Sequence, residues 1–130
     1  MLKDYLQQIT LDLDIDEDIN SEQSNEFNLQ LDENINVTLI IHDEHKNIFT
    51  FFSSLGKIPA GDHEEFYVEL MSANLFGQGT GGAVLSINSQ NQLVLAQTFS
   101  YEINYQDFRD FLEEFVNHVD FWKEELKKLS

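Results

Sequence analysis

Residues 70–88 read LMSANLFGQGTGGAVLSIN, and their order decides the fold. Phe66, Leu70 and Ala73, with Met71, Asn74 and Leu75, recur at helical spacing and predict a helix that ends near Gly77. Asp62 followed by Glu65 supplies an N-cap and N3 pair for its start. Gly77, Gly79, Gly81 and Gly82 then let the chain turn sharply, at φ angles that only glycine visits easily. Ala83–Ile87 follows as a strand. A phosphate-binding loop needs the reverse order, a strand before the glycines and a helix N-terminus after them.

Working outward, Gln92–Phe99 forms a second strand after the turn at Asn88–Asn91. Tyr105, Phe108, Phe111, Leu112, Phe115, Val116, Val119, Trp122, Leu126 and Leu129 recur at steps of three and four. They predict a long amphipathic helix, capped by Asn104 and closed by Lys123, Lys127 and Lys128, whose cations suit the dipole. Upstream, Phe27, Leu29 and Leu31 alternate with polar residues, as do Ile35, Val37, Leu39 and Ile41 after the turn Asp32–Asn34. A third strand, Ile48–Ser54, carries apolar bulk on both faces, because Phe49 and Phe51 point opposite to Ile48 and Phe52. Leu2, Tyr5, Leu6 and Ile9 predict a short opening helix. Leu11, Leu13 and Ile15 alternate with aspartates as a loose strand, ahead of a polar loop. The expected fold is α+β, a mostly antiparallel five-stranded sheet with three helices in the order α-βββ-α-ββ-α, forming one domain over 1–130.

The totals narrow the function. Of 130 residues, 24 are acidic and 7 basic, a formal charge of −17 that repels nucleic acid and anionic membranes. With no cysteine there is neither a disulfide framework nor a thiolate metal site. Nothing resembles a signal peptide, and no apolar run approaches membrane-spanning length, so a cytoplasmic protein without membrane insertion is expected. No nucleophile elbow or cysteine nucleophile occurs, and carboxylate pairs discriminate nothing in so acidic a chain. No catalytic residue, cofactor or metal site is assigned. Asp12, Asp14, Asp16 and Asp18 mimic the start of a calcium loop, but its bidentate position is Gln23 and its turn glycine is Glu17. His42 and His45 fall in a hairpin turn, with His63 and His118 on separate helices, which is not a ligand spacing.

The decisive oddity is charge. No Asp, Glu, Lys or Arg occurs from Leu70 to Tyr101. An ordinary surface helix or hairpin carries charge on its outward face, whereas obligate dimer interfaces deplete it at their centre. A homodimer interface is therefore expected at Leu70, Met71, Asn74, Leu75, Phe76, Leu85 and Ile87.

The same region, Leu70-Met71-Ser72-Ala73-Asn74-Leu75 followed by Gly77…Gly79-Thr80-Gly81-Gly82-Ala83-Val84-Leu85, resembles the central signature of class I type III secretion chaperones, the family of the Tir chaperone. The likeness extends through the opening helix, Asp32-Glu33-Asn34, Leu55-Gly56-Lys57-Ile58-Pro59, Leu93-Val94-Leu95, and Trp122 with Leu126. It implies a bacterial cytoplasmic homodimer that holds the N-terminal region of a secreted effector, without catalysis, until delivery to the secretion apparatus. The Leu11–Asn25 segment separates the first helix from the Phe27 strand by more than the family pattern. Because the hairpin strands are apolar on both faces, an accessible client surface is expected at Leu2, Tyr5, Leu6 and Ile9 with Val37, Leu39, Phe49 and Phe51. Two other classes stay open: an acidic regulatory or inhibitory protein covering a basic target, whose binding would depend steeply on salt, and a divalent-ion sensor.

Overall fold

The computed structural model describes residues 2–13, 16–18, 25–31, 34–43, 48–75, 81–100 and 103–129. The elements run α1 (Leu2–Leu13), β1 (Asp16–Asp18), β2 (Glu26–Gln30), β3 (Asn36–Asp43), β4 (Ile48–Lys57), α2 (Glu64–Asn74), β5 (Val84–Ile87), β6 (Gln92–Phe99) and α3 (Tyr105–Lys127). The five expected strands form one antiparallel sheet, to which β1 adds a short sixth, in the order β1-β2-β3-β4-β6-β5.

Alternation sorts the strand side chains into two faces, and the helices cover one of them. Phe27 and Leu29 of β2, Val37, Leu39 and Ile41 of β3, Phe49 and Phe51 of β4, and Leu93 and Leu95 of β6 all point to one side and are buried. There they join a single cluster with Leu2, Leu6 and Ile9 of α1, Phe66, Leu70 and Ala73 of α2, and the inward stripe of α3 from Phe108 to Leu126. Rings organise its centre. Phe49 stacks on Phe99, and Phe99 on Phe111, each at 5.0 Å between centroids, while Phe51 meets both Phe108 and Phe115 at 5.6 Å. Truncating a buried phenylalanine of this kind to alanine costs about 3–5 kcal/mol.

Two local expectations are corrected. Leu11 and Leu13 lie in the last turn of α1, not in a strand. The helix runs on because Leu13 continues the stripe of Leu2, Leu6 and Ile9, so the Leu-Asp alternation that mimics a strand is a fragment of a longer helical period. Ile15 lies outside the described residues. Asp62 does not cap α2 either. The helix begins at Glu64, His63 holds the cap position without a side-chain capping bond, and Asp62 Oδ1 accepts instead from the Glu64 amide at 3.2 Å. Engagement of the His63 ring with the Pro59 carbonyl at 2.8 Å accompanies that shift. The expected cap of α3 is present, with Asn104 Oδ1 accepting from the Asp107 amide at 2.8 Å.

Candidate functional site

α2 turns Phe66, Leu70 and Ala73 inward and leaves Val68, Met71 and Leu75 on its outer side, at i, i+3 and i+7. Met71 is 73% exposed and Leu75 57%. Just beyond the glycine turn, β5 adds exposed Val84 and Ile87. Gly81 shapes that entry. Its φ is +64°, and a Cβ there would come within 2.5 Å of His118 Nε2 and 2.8 Å of Glu114 Oε1, both on α3. Asn74 joins helix to strand. Its side-chain amide donates to the Leu85 carbonyl and accepts from the Leu85 amide, each at 2.8 Å. β5 is an edge strand, so one side chain satisfies the outward backbone groups of its central residue.

The residues expected at a dimer interface therefore divide. Met71, Leu75 and Ile87 are exposed at the α2–β5 junction, Leu70 and Leu85 belong to the core, Asn74 is bonded to the edge of β5, and Phe76 lies outside the described residues. Val68 and Val84 complete the apolar surface. Val68 was legible as the position one turn before Met71, while Val84 was hidden by the alternation that buries Leu85.

The expected client surface needs a larger correction. Leu2, Leu6, Ile9, Val37, Leu39, Phe49 and Phe51 are all buried, at 2% exposure or less, and Tyr5 is half-buried with its hydroxyl donating to the Ile103 carbonyl at 2.9 Å. They are the core rather than an open patch, because α1 and α3 cover the same sheet face. An aspartate at Leu6 or Phe49 would be an unpaired buried charge that threatens the fold itself. The opposite face carries half-buried Ile40 and Phe52 beside Thr38 and Ala96. Thr38 and Phe52 are register partners, as are Phe52 and Ala96. Nearby, Thr50 Oγ1 sits 2.7 Å from Thr98 Oγ1 and 2.8 Å from His42 Nε2, which places His42 on β3 rather than in a turn. His45 lies outside the described residues.

A second apolar feature was not foreseen. Leu13, Leu31, Leu112 and Val116, with Glu113 and Asn117, line a groove of about 360 Å³ between the end of α1, the end of β2 and the middle of α3. Leu11, 82% exposed, sits on the same last turn of α1. The signal available in sequence was Leu31 and Val116 at the margins of their stripes, where a fully covered core would have no need of them.

Charged groups reinforce the helix contacts. The Tyr105 hydroxyl donates to Asp12 Oδ2 at 2.6 Å, and Arg109 approaches the same carboxylate at 4.0 Å, tying α1 to α3. Burial, then the hydrogen bond to Asp12 and its charge, push the Tyr105 phenol up to about 12. Where α2 meets α3, the Glu69 carboxyl is held above its usual range by burial and by the neighbouring Glu125 carboxylate, with Lys128 opposing. A cleft between β4 and the end of α3 gathers Lys57, Lys123 and Lys127 but also Asp120 and Glu124, and Lys127 is 3.1 Å from Glu124. Among the described residues, no group of three or more His, Cys, Asp or Glu is placed to hold a metal. Asp12 lies on α1 and Asp16 and Asp18 on β1, so these three do not form one continuous chelating loop; Asp14 is outside the described residues.

The signature at residues 70–85 thus folds as a helix, a turn at Gly81–Gly82 and an edge strand, with the sheet backed by a long C-terminal helix. The model of the Tir chaperone protein (CesT) family matches residues 4–123. The chain belongs to the Tir chaperone protein (CesT) family. A Chlamydia pneumoniae protein designated CPj0713/CpB0740 is 35% identical over 81 residues, a stretch that spans 62% of this chain and 62% of that relative. The fold is also that of the ExsC-ExsE complex, with a TM-score of 0.73 at 15% identity over 96% of this chain and 92% of the other. The heterodimeric ExoU-SpcU complex from the type III secretion system of Pseudomonas aeruginosa gives a TM-score of 0.67 at 18% identity, covering 99% and 94%. Within the Tir chaperone family fold, the charge-free sequence is accounted for partly by burial of β6 and partly by the exposed apolar surface of α2 and β5. Among the described residues, no helix is long and apolar enough to cross a membrane.

Proposed function

We propose that this protein is a non-catalytic chaperone of the bacterial cytoplasm that works as a homodimer and keeps the N-terminal region of a type III secreted effector soluble and extended. The observation that carries this reading is the family match over residues 4–123, on a fold that leaves apolar surface exposed outside its core. The solved structures it resembles include proteins described as an ExsC-ExsE complex and an ExoU-SpcU complex of a type III secretion system, which supports a protein client. The α2–β5 junction, with Val68, Met71, Leu75 and Ile87, serves dimerisation. The groove of Leu13, Leu31, Leu112 and Val116 and the half-open sheet face with Ile40 and Phe52 serve the client. Buried Leu2, Leu6, Ile9, Val37, Leu39, Phe49 and Phe51 support those surfaces from beneath. A formal charge of −17 keeps such apolar area in solution and disfavours nucleic acid. The secretion apparatus receives the loaded complex.

The test is purification of the tagged protein from the bacterium that encodes it, under conditions that block secretion. A secreted protein is expected to come with it, with limited proteolysis mapping the protected segment to that partner's N-terminal region. Recovery with no secreted protein, or protection of a C-terminal domain, would overturn the proposal.

A further inference from the structure

β1 is an improbable strand. Its three residues are Asp16, Glu17 and Asp18, two residue types that strands avoid, and consecutive carboxylates repel one another. It nonetheless pairs antiparallel with β2, in the register Asp16↔Gln30, Glu17↔Leu29 and Asp18↔Asn28. The residue opposite buried Leu29 is a glutamate, whereas on the other side of β2 Leu29 faces Val37. β1 spans three of the five residues of β2, with Glu26 and Phe27 outside its register. A single three-residue ladder of this composition is held weakly, since short edge pairings with poor cross-strand contacts contribute little.

The surroundings of that edge are built for something else. Leu13, the last residue of α1, lines the apolar groove, and β1 starts three residues later opposite Gln30. Leu31, next to Gln30, lines the same groove. A strand laid along β2 would therefore run from the backbone groups of Glu26–Gln30 into an apolar pocket of about 360 Å³ able to accept a side chain. The opposite edge is less suited, because Asn74 already takes the amide and carbonyl of Leu85 on β5.

We infer that β1 is a built-in placeholder on the outer edge of β2, displaced when an extended segment of a protein partner adds to the sheet there. This rests on the proposed chaperone reading and names how its client is admitted. The occupant is a partner strand with alternating apolar residues and no carboxylates, since it replaces three acidic residues in a chain of net charge −17. Main-chain pairing supplies affinity without demanding one sequence, and apolar residues at alternate positions supply the fit to Leu29 and the groove. The acidic placeholder keeps the edge from pairing with further copies of the chain while it waits, as charged edge strands do. Because binding then competes with an intramolecular strand, apparent affinity falls by the fraction of molecules whose edge is open.

The chain has no cysteine, so the placeholder can be locked cleanly. In the double variant Asp16→Cys, Gln30→Cys, oxidation ties β1 to β2 at a register pair. The probe is a fluorescent synthetic peptide of alternating valine and threonine flanked by lysines, titrated by anisotropy. The oxidised variant is expected to bind at least about tenfold more weakly than the same protein after reduction, because apparent affinity falls in proportion to the open fraction of the edge and the disulfide holds that edge closed. A second variant, Asp16→Thr with Glu17→Val and Asp18→Thr, strengthens β1 as a strand and is expected to weaken the peptide without any disulfide. Equal affinity of oxidised and reduced forms, or no peptide binding to any form, overturns the inference. The chaperone reading fails separately, if the unmodified protein brings down no secreted protein.

Discussion

Tyr105 shows how much one hydroxyl can tie together. It starts α3, reaches Asp12 on α1 across most of the sequence, and packs its ring tilted against that of Tyr5, 5.9 Å between centroids. Burial and the adjacent carboxylate both favour the neutral phenol, so its value rises from 10.0 to about 12. The raised value makes folding favour the protonated form. The resulting stability is fully present below the unfolded phenol's value near 10 and is lost as pH rises through about 12. In an ultraviolet titration of the four tyrosines, one is expected to ionise late, near 12. In Asp12→Asn that late step should move to lower pH, without returning fully to the free value because burial remains. An unchanged titration would show that Asp12 does not govern it. Of this contact, sequence showed only that Tyr105 belongs to the helix stripe. Asp12 was indistinguishable from the other aspartates of its run until the longer α1 carried it to α3.

Elements were legible in proportion to the length of their period. α3 shows its stripe over six turns, and the residues picked from spacing are those that bury or half-bury in the structure. β2 and β3 alternate cleanly enough to be placed within a residue or two, and β6 shows itself as the apolar run Leu93-Val94-Leu95 after a turn. α1 was cut short because five residues of Leu-Asp alternation satisfy a strand and a helix turn equally. The join of α2 to β5 was the hardest to foresee, since nothing in the spacing shows that Asn74 would act as an extra strand edge. Leu85 is buried, so removing the amide leaves an N–H and a carbonyl without their partner. Asn74→Ala is expected to destabilise the protein by about 1–3 kcal/mol, read as a lower urea midpoint with an unchanged slope. A variant as stable as the parent would show that water replaces the amide at no cost.

At the scale of the molecule, the exposed apolar stripe of α2 is the feature that a lone chain does not explain. Met71 is 73% exposed, so Met71→Asp should fold normally as judged by circular dichroism. In a homodimer built on that stripe the same charge would be buried without a partner, a loss of about 3–5 kcal/mol in association. Sedimentation is expected to give a dimer for the parent and a monomer for the variant at micromolar concentration. A parent that sediments as a monomer, or a variant that remains dimeric, would move the interface elsewhere. The sequence by itself determined the order of the three helices and five main strands, the antiparallel pairing and the charge-free stretch, because each is written in local periodicity or composition, while the family was marked by the resemblance of residues 70–85 to its signature. Only the tertiary structure decided which face of the sheet is core. Strands that are apolar on both sides obey alternation equally well with either face inward, and the choice falls to where α1 and α3 land. The placement of β1 on the edge of β2 was likewise invisible, since an Asp-Glu-Asp run has no strand preference of its own and pairs there through backbone groups that every residue carries.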